Sequence, residues 1–253
     1  MFLNKFLKKK IVLISGSSKG IGSKITNVFL NQGCTVVGIS RKKVVLKKNK
    51  NYSNYNHITC DLSDHDELKK SLDIIKKKFK KIDIIINNAA ITKSLNNNFK
   101  YDLLNFKKTI KINLTSAYII SYYFAELMKA KKIKGNIINI SSIGAILGFA
   151  NNPAYTSSKS GLLALTKSLA VDYGKYNITA NTILPGYFNI GMTEKSSKKL
   201  QIKKNRLNRI LLNRYGKIEE LTNLILFLVS DYSKYITGQE IIIDGGFSIN
   251  SLN

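Results

Sequence analysis

The stretch Lys10-Ile11-Val12-Leu13-Ile14-Ser15-Gly16-Ser17-Ser18-Lys19-Gly20-Ile21-Gly22 decides the fold. A short apolar run, Lys10–Ser15, turns through three glycines into Ile21–Gln32, where Ile21, Ile25, Val28 and Phe29 share one helical face. Glycine is needed where backbone approaches a phosphate closely or takes positive φ. The helix that follows offers unpaired N–H groups and a positive partial charge at its start. The spacing is G-x-x-x-G-x-G, not the G-x-G-x-x-G of many dinucleotide folds. By itself a glycine triplet is also accounted for by a flexible turn. Set between strand and helix, it reads as a phosphate cradle of Gly16, Ser18, Lys19, Gly20, Ile21 and Gly22.

Outward from this turn, strand-like and helix-like segments alternate with no internal repeat and no long linker. Cys34–Ser40 and His57–Asp61 read as the second and third strands. Glu67–Lys81 reads as a basic helix with Leu68, Leu72, Ile75 and Phe79 inward, and Ile82–Asn87 as a fourth strand. Asp102–Lys132 reads as one long helix, open to an interruption, and Asn136–Ser141 as a fifth strand. Ala154–Tyr173 is the next helix, entered through Pro153. Thr179–Leu184 is a sixth strand, stopped by Pro185-Gly186. Ile218–Ser230 is a late helix, and Glu240–Asp244 a last strand before Gly245-Gly246. Continuous apolar runs suit strands covered on both faces. The alternation calls for an α/β fold, a Rossmann-like doubly wound parallel sheet with helices on both faces. Ligands bind such sheets beyond the carboxyl ends of the strands, where the strand order reverses.

With 253 residues, 44% of them apolar, the chain is long enough to bury a sizeable core without a second domain. No run approaches a membrane span. Met1 to Lys10 is too short and too charged for a signal peptide, so a cytoplasmic location is expected. Cys34 and Cys60 stand in or open apolar runs and are expected as small buried side chains, with no disulfide and no metal site. His57 and His65 lack metal-ligand neighbours and are expected at the surface or a strand edge. The net charge of +26 has two readings. One is an anionic partner such as nucleic acid, a membrane surface or an acidic carrier protein. The other is a compositional bias rich in Lys, Asn and Ile. The even spread of the lysines, without interleaved aromatic platforms, favours the second and argues against nucleic acid.

Two further stretches carry chemistry. After the second strand stands Gly38-Ile39-Ser40-Arg41-Lys42, with no acid to take a ribose 2′-OH. Arg41 can meet a 2′-phosphate with two parallel hydrogen bonds, and Lys19 adds a second cation. This favours NADP(H) over NAD(H). Tyr155 and Lys159 lie four apart on a helix, and so on one face. A phenol titrates near ~10, and a neighbouring ammonium lowers it toward the working range. Ser142, at the end of the fifth strand and 13 residues before Tyr155, can hydrogen-bond a carbonyl oxygen.

With these residues in place the chain resembles the short-chain dehydrogenase/reductase family along nearly its whole length. The carrying residues are Gly16-x-x-x-Gly20-Ile21-Gly22, Asp61, Asn87-Asn88-Ala89-Ala90, Asn113, Ser142, Tyr155-x-x-x-Lys159, Pro185-Gly186 and Asp244-Gly245-Gly246. The resemblance implies one domain over residues 1–253 with about seven parallel strands, commonly assembled as a homotetramer. It implies that Tyr155 exchanges a proton with the substrate oxygen, that Lys159 tunes Tyr155 and contacts the nicotinamide ribose, and that Ser142 orients the substrate. Asn113 would hold a water linking Lys159 to solvent. Asp61 and Leu62 would sit by the adenine, Asn87 and Ala89 by its ribose, and Pro185, Gly186 and Phe188 by the nicotinamide. The same spacing selects Ser142 over Ser141.

Three residues depart from the family pattern. Ser15 replaces a Thr but keeps the hydroxyl. Ala90 replaces a Gly where backbone passes the cofactor. Ile190 replaces a Thr, which removes one hydrogen bond to the carboxamide. Tyr118, Tyr122 and Tyr123 read as core or subunit contacts. The basic segment Thr193–Leu212 reads either as a mobile substrate lid, at about 188–213, or as a merely solvated helix. The closing stretch Arg214–Gly246 is similar to reductases of 3-oxoacyl groups on acyl carrier protein, which work in fatty acid biosynthesis. Sugar, polyol and small-ketone dehydrogenases share it. The expectation is hydride transfer between a nicotinamide and a carbonyl or secondary alcohol. The rival from another class is a non-catalytic nucleotide- or nucleic-acid-binding protein on the same fold.

Overall fold

Strand β1 (Ile11–Ser15) lies inside a seven-stranded parallel sheet of order β3-β2-β1-β4-β5-β6-β7. The other strands are β2 (Thr35–Ile39), β3 (Tyr55–Ile58), β4 (Ile84–Asn87), β5 (Asn136–Ile140), β6 (Thr179–Pro185) and β7 (Glu240–Ile243). The helices are α1 (Gly20–Asn31), α2 (His65–Phe79), α3 (Phe99–Ile110), α4 (Ser116–Ala130), α5 (Pro153–Tyr173), α6 (Leu200–Arg209) and α7 (Ile218–Leu228). This computed structural model describes residues 7–43, 51–191, 193–194 and 199–250.

Successive strand side chains point to opposite faces, and here both faces are covered. Val12, Ile14, Ile84, Ile86, Ile138 and Ile140 join Ile25 and Phe29 of α1 and Leu221 and Ile225 of α7 in one apolar layer. Leu13, Val37, Ile85 and Ile137 join Leu68 and Leu72 of α2, Phe124 of α4 and Leu169 of α5 in the other. The unbroken apolar runs of the sequence are the signature of this double coverage. Cys34 and Cys60 are both buried free thiols, and burial raises them to about 12 and about 11. At the opposite end from the strand termini that carry the motifs, buried Asp83 accepts from the Ile11 N–H (2.9 Å) and pairs with Lys10 (3.2 Å) and Lys81 (3.1 Å). Among the described residues no helix is long and apolar enough to cross a membrane.

Two segments differ from the sequence reading. The third strand is Tyr55–Ile58, not His57–Asp61. Its register against β2 runs from Val36↔Tyr55 to Ile39↔Ile58, so the ladder ends where β2 ends. The Asn-rich approach to Tyr55 hid its start. The expected long helix is broken by a π-helical turn at Lys111–Thr115, which separates α3 from α4 and carries Asn113. Such turns recur at functional sites. Of the stretch expected as a lid, α6 occupies Leu200–Arg209, while residues 192 and 195–198 lie outside the described residues, as do residues 1–6 of the N-terminal stretch.

Because the second layer is close-packed, emptying it is costly. Phe124→Ala is expected to destabilise the chain by about 3–5 kcal/mol, read as a lower urea midpoint with an unchanged slope.

Candidate active site

The strand order reverses between β1 and β4, and there the glycine turn is pressed against the end of β4. Gly16 and Gly20 take φ of 69° and 56°, the left-handed region. A Cβ on Gly22 would lie 2.2 Å from the Gly16 carbonyl, and one on Gly16 would lie 2.7 Å from Ala89 Cα. The Ser15 hydroxyl accepts from the N–H groups of Asn88 (3.1 Å) and Ala89 (3.2 Å). The Asn88 amide donates to the carbonyls of Ser15 (3.1 Å) and Gly16 (3.2 Å). Helix α1 starts after Lys19 with no side-chain cap and no acid in its first turn. Its leading N–H groups are therefore open to an anion, and the glycines leave room for a pyrophosphate to approach the backbone. The turn thus fits the dinucleotide that the motif implies.

The ends of β2 and β3 carry the residues expected beside an adenosine. Arg41 is exposed, and Ser40 is buried with its hydroxyl donating to the Lys42 carbonyl (2.8 Å). The Asp61 carboxyl is held below its usual range. The Ser63 N–H (2.9 Å) is the main cause, and the Ser63 hydroxyl (2.8 Å) and the charge of Arg41 act the same way. Leu62 turns its side chain into the second apolar layer and Phe188 turns its ring into the first. Asn87 is buried, donating to Ser121 Oγ (2.8 Å) and Asn139 Oδ1 (2.8 Å), while its own Oδ1 has no protein partner. After β6, Gly186 lies so close to Asp244 that a Cβ would meet it at 2.6 Å. Asp244 in turn accepts from the Gly246 N–H (2.9 Å) and the Ser248 N–H (2.7 Å), fixing the loop that follows β7, against which Gly186 rests.

Tyr155 and Lys159 sit in the first two turns of α5, facing Ser142 after β5. The Ser142 hydroxyl accepts from the Gly144 N–H (3.0 Å) and shares a side-chain hydrogen bond with Tyr155. Ser141 instead donates to the Lys159 carbonyl (2.8 Å), so it faces the helix rather than Tyr155. The Lys159 ammonium lies 5.8 Å from the Tyr155 ring centre and donates to the Ile140 carbonyl (2.6 Å). Lys159 is only 2% exposed, and burial draws its amine down to about 7. The sequence reading expects that ammonium to lower the phenol. The opposite holds: burial raises Tyr155, Tyr187 adds to the rise, and only the Ser142 hydrogen bond pulls it down. Removal of the phenol from water disfavours its charged form.

Asn113, in the π-turn, accepts from the Ile91 N–H (2.8 Å) and donates to the Ile91 carbonyl (2.9 Å) and Ser158 Oγ (3.0 Å). Both its amide protons are thereby taken, so its side chain acts as a clamp. Ser158 completes that clamp by donating to the Tyr155 carbonyl (2.7 Å). Sequence reasoning missed Ser158 and the bridging of Asn88, because Ser and Asn abound in this chain and nothing in their spacing marks the buried ones.

The chain matches the family described as Enoyl-(Acyl carrier protein) reductase over residues 16–248. A 3-oxoacyl-acyl-carrier-protein reductase of Thermotoga maritima is 34% identical, over 96% of this chain and 99% of that protein. A 2-dehydro-3-deoxy-D-gluconate 5-dehydrogenase of Dickeya dadantii is 30% identical, over 98% of this chain and 99% of that one. Among solved structures, 4-hydroxyisoleucine dehydrogenase complexed with NADH superposes with a TM-score of 0.88 at 29% identity, covering 96% of this chain and all of that one.

The buried amine has a measurable cost. A lysine whose folded pKa is lowered destabilises the fold fully below that pKa, and the penalty fades as pH rises toward the ordinary lysine range. Lys159→Met is therefore expected to raise the thermal midpoint at pH 6, by a margin that shrinks steadily toward pH 10. A margin independent of pH would contradict the desolvated amine.

Proposed function

The chain belongs to the short-chain dehydrogenase/reductase family, and on that premise we propose that it is an NADP(H)-dependent reductase of 3-oxoacyl groups carried on an acyl carrier protein. The family makes it an oxidoreductase of carbonyl or alcohol substrates with a nicotinamide cofactor. The observation that carries the catalytic reading is the convergence of Ser142, Tyr155 and Lys159 at the carboxyl end of β5.

Gly16, Ser18, Lys19, Gly20, Ile21 and Gly22 would hold the pyrophosphate. Ser40 and Arg41 would take the 2′-phosphate, backbone at Asp61 and Leu62 the adenine, and Asn87 and Ala89 its ribose. Tyr155 and Lys159 would meet the nicotinamide ribose, and Pro185, Gly186 and Phe188 the nicotinamide. When bound, the reduced nicotinamide supplies the hydride. Ser142 orients the substrate carbonyl by donating to its oxygen. Tyr155, kept protonated at neutral pH by burial, gives its proton to that oxygen as the carbon is reduced. Lys159, near 7, is poised to pass a proton on toward Tyr155. Asn113 and Ser158 hold the start of α5 in place.

Two features support an acyl substrate on a carrier. Phe149, Tyr187 and Leu207, half-buried over the core residues Ile143, Ile210 and Phe247, leave apolar surface that suits a hydrocarbon tail. The exposed cations Lys203, Lys204 and Lys217 suit an acidic carrier. Exposed Phe99 and Leu104 on α3 support association of copies, in line with the tetramer expected of the family. The identity with the gluconate-type dehydrogenase favours, as a second reading, a sugar-derived ketone as substrate.

Tyr155→Phe is expected to lower kcat by about 10²–10⁴-fold with NADPH affinity retained. Unchanged turnover would remove Tyr155 from the chemistry. In a substrate panel, acetoacetyl-carrier protein with NADPH should turn over fastest. Turnover of sugar ketones alone would select the second reading, and preference for NADH would overturn the cofactor assignment. Retention on nucleic acid without turnover of any carbonyl would favour a binding protein.

A further inference from the structure

Beneath the glycine turn lies a chain of polar side chains that the reaction itself does not use. Ser17 Oγ is 3.0 Å from the Tyr55 phenol oxygen and 3.3 Å from Ser40 Oγ, and the phenol oxygen is 3.4 Å from His57 Nδ1. Ser17 is 0% exposed and Tyr55 7%. Polar groups shut away from water in this manner stay only where they satisfy one another.

The three strands involved are neighbours, but the contact skips one of them. Tyr55 opens the edge strand β3, whereas Ser17 belongs to the turn after β1, so the phenol must cross β2. It crosses at Gly38. A Cβ there would lie 2.4 Å from both Ser17 Oγ and the Tyr55 hydroxyl. Glycine weakens a strand interior and marks a close approach, and here the approach is this hydrogen bond. Stacking on Tyr52, with ring centres 5.7 Å apart, steadies the phenol from the other side.

The two serines tied together are next to the two cations of the adenosine side. Ser17 is two residues before Lys19, and Ser40 immediately precedes Arg41. Both cations are exposed, so their placement depends on the backbone that bears them. We propose that Tyr55 is a positioning residue for the phosphorylated ribose of the cofactor. Through Ser17 and Ser40 its hydroxyl holds the Lys19 and Arg41 segments at the separation a 2′-phosphate requires, and Gly38 is the opening that lets it do so. Pre-set spacing of this kind adds affinity by removing the ordering cost from the binding step. The inference rests on the NADP(H) reading above.

The test uses Tyr55→Phe, which keeps the ring and its stack and deletes only the hydroxyl. Dissociation constants for NADPH and NADH are measured by nicotinamide fluorescence titration, alongside kcat at saturating NADPH and the thermal midpoint. One hydrogen bond corresponds to about a three- to tenfold change. NADPH affinity should fall by that factor, NADH affinity should hardly move, and kcat should stay as in the wild type. Ser17→Ala should give the same loss, and the double variant should lose no more than either single one. Equal weakening of both dinucleotides, no weakening, or additive losses in the double variant would each overturn the role of Tyr55. If the wild type itself binds NADPH no better than NADH, the cofactor reading fails, and the inference fails with it. If the wild type discriminates and Tyr55→Phe leaves that preference intact, the inference alone fails.

Discussion

Everything near the site depends on how closely two stretches of backbone approach where β1 and β4 part. Gly16 and Gly22 have no room for a Cβ, the first against Ala89 and the second against the Gly16 carbonyl. Polar clasps hold the approach: the Ser15 hydroxyl takes two N–H groups from β4's end, and the Asn88 amide gives two protons back to β1's end. With the turn pinned in this way, α1 presents its uncapped N-terminus at the crevice, the place an anion can use it. The Ser15 that departs from the family pattern retains this function because only its oxygen is needed.

The end of the sheet that carries Tyr155 and Lys159 shows a tension between stability and the chemistry proposed for it. A lysine that is nearly fully buried, with its amine on a backbone carbonyl, is an expensive feature in a core. Strained or desolvated groups persist where function requires them and tend to lower stability. The rest of the local structure braces the pair. Ser141 holds the Lys159 carbonyl, Ser158 holds the Tyr155 carbonyl, and Asn113 ties Ser158 to Ile91 across the π-turn. The phenol consequently rests as an acid, which suits reduction of a carbonyl.

Charge is distributed with a purpose that the total of +26 conceals. Asp83 gathers two lysines at the end of the sheet away from the cleft, Arg214 pairs with Glu220 at the start of α7, and Asp61 feels the charge of Arg41. Among the described residues most of the other cations lie at the surface, where water screens them. There they raise the local concentration of anions without deciding the fold.

The amino-acid sequence by itself determined the alternation of strands and helices, the glycine turn and the nearness of Tyr155 to Lys159. Each of these is a local pattern: double-sided apolar runs, positive-φ glycines before a helix, and two side chains one helical turn apart. Only the tertiary structure decided that β3 begins at Tyr55, because its limits follow from pairing with β2. The π-turn at Asn113, the clasp of Asn88 and the crossing of Tyr55 over Gly38 likewise join residues far apart in the chain. The direction of the Tyr155 shift belongs with them. Helical spacing tells which side chains are neighbours, but the balance of desolvation against charge depends on what the other elements shut away from water.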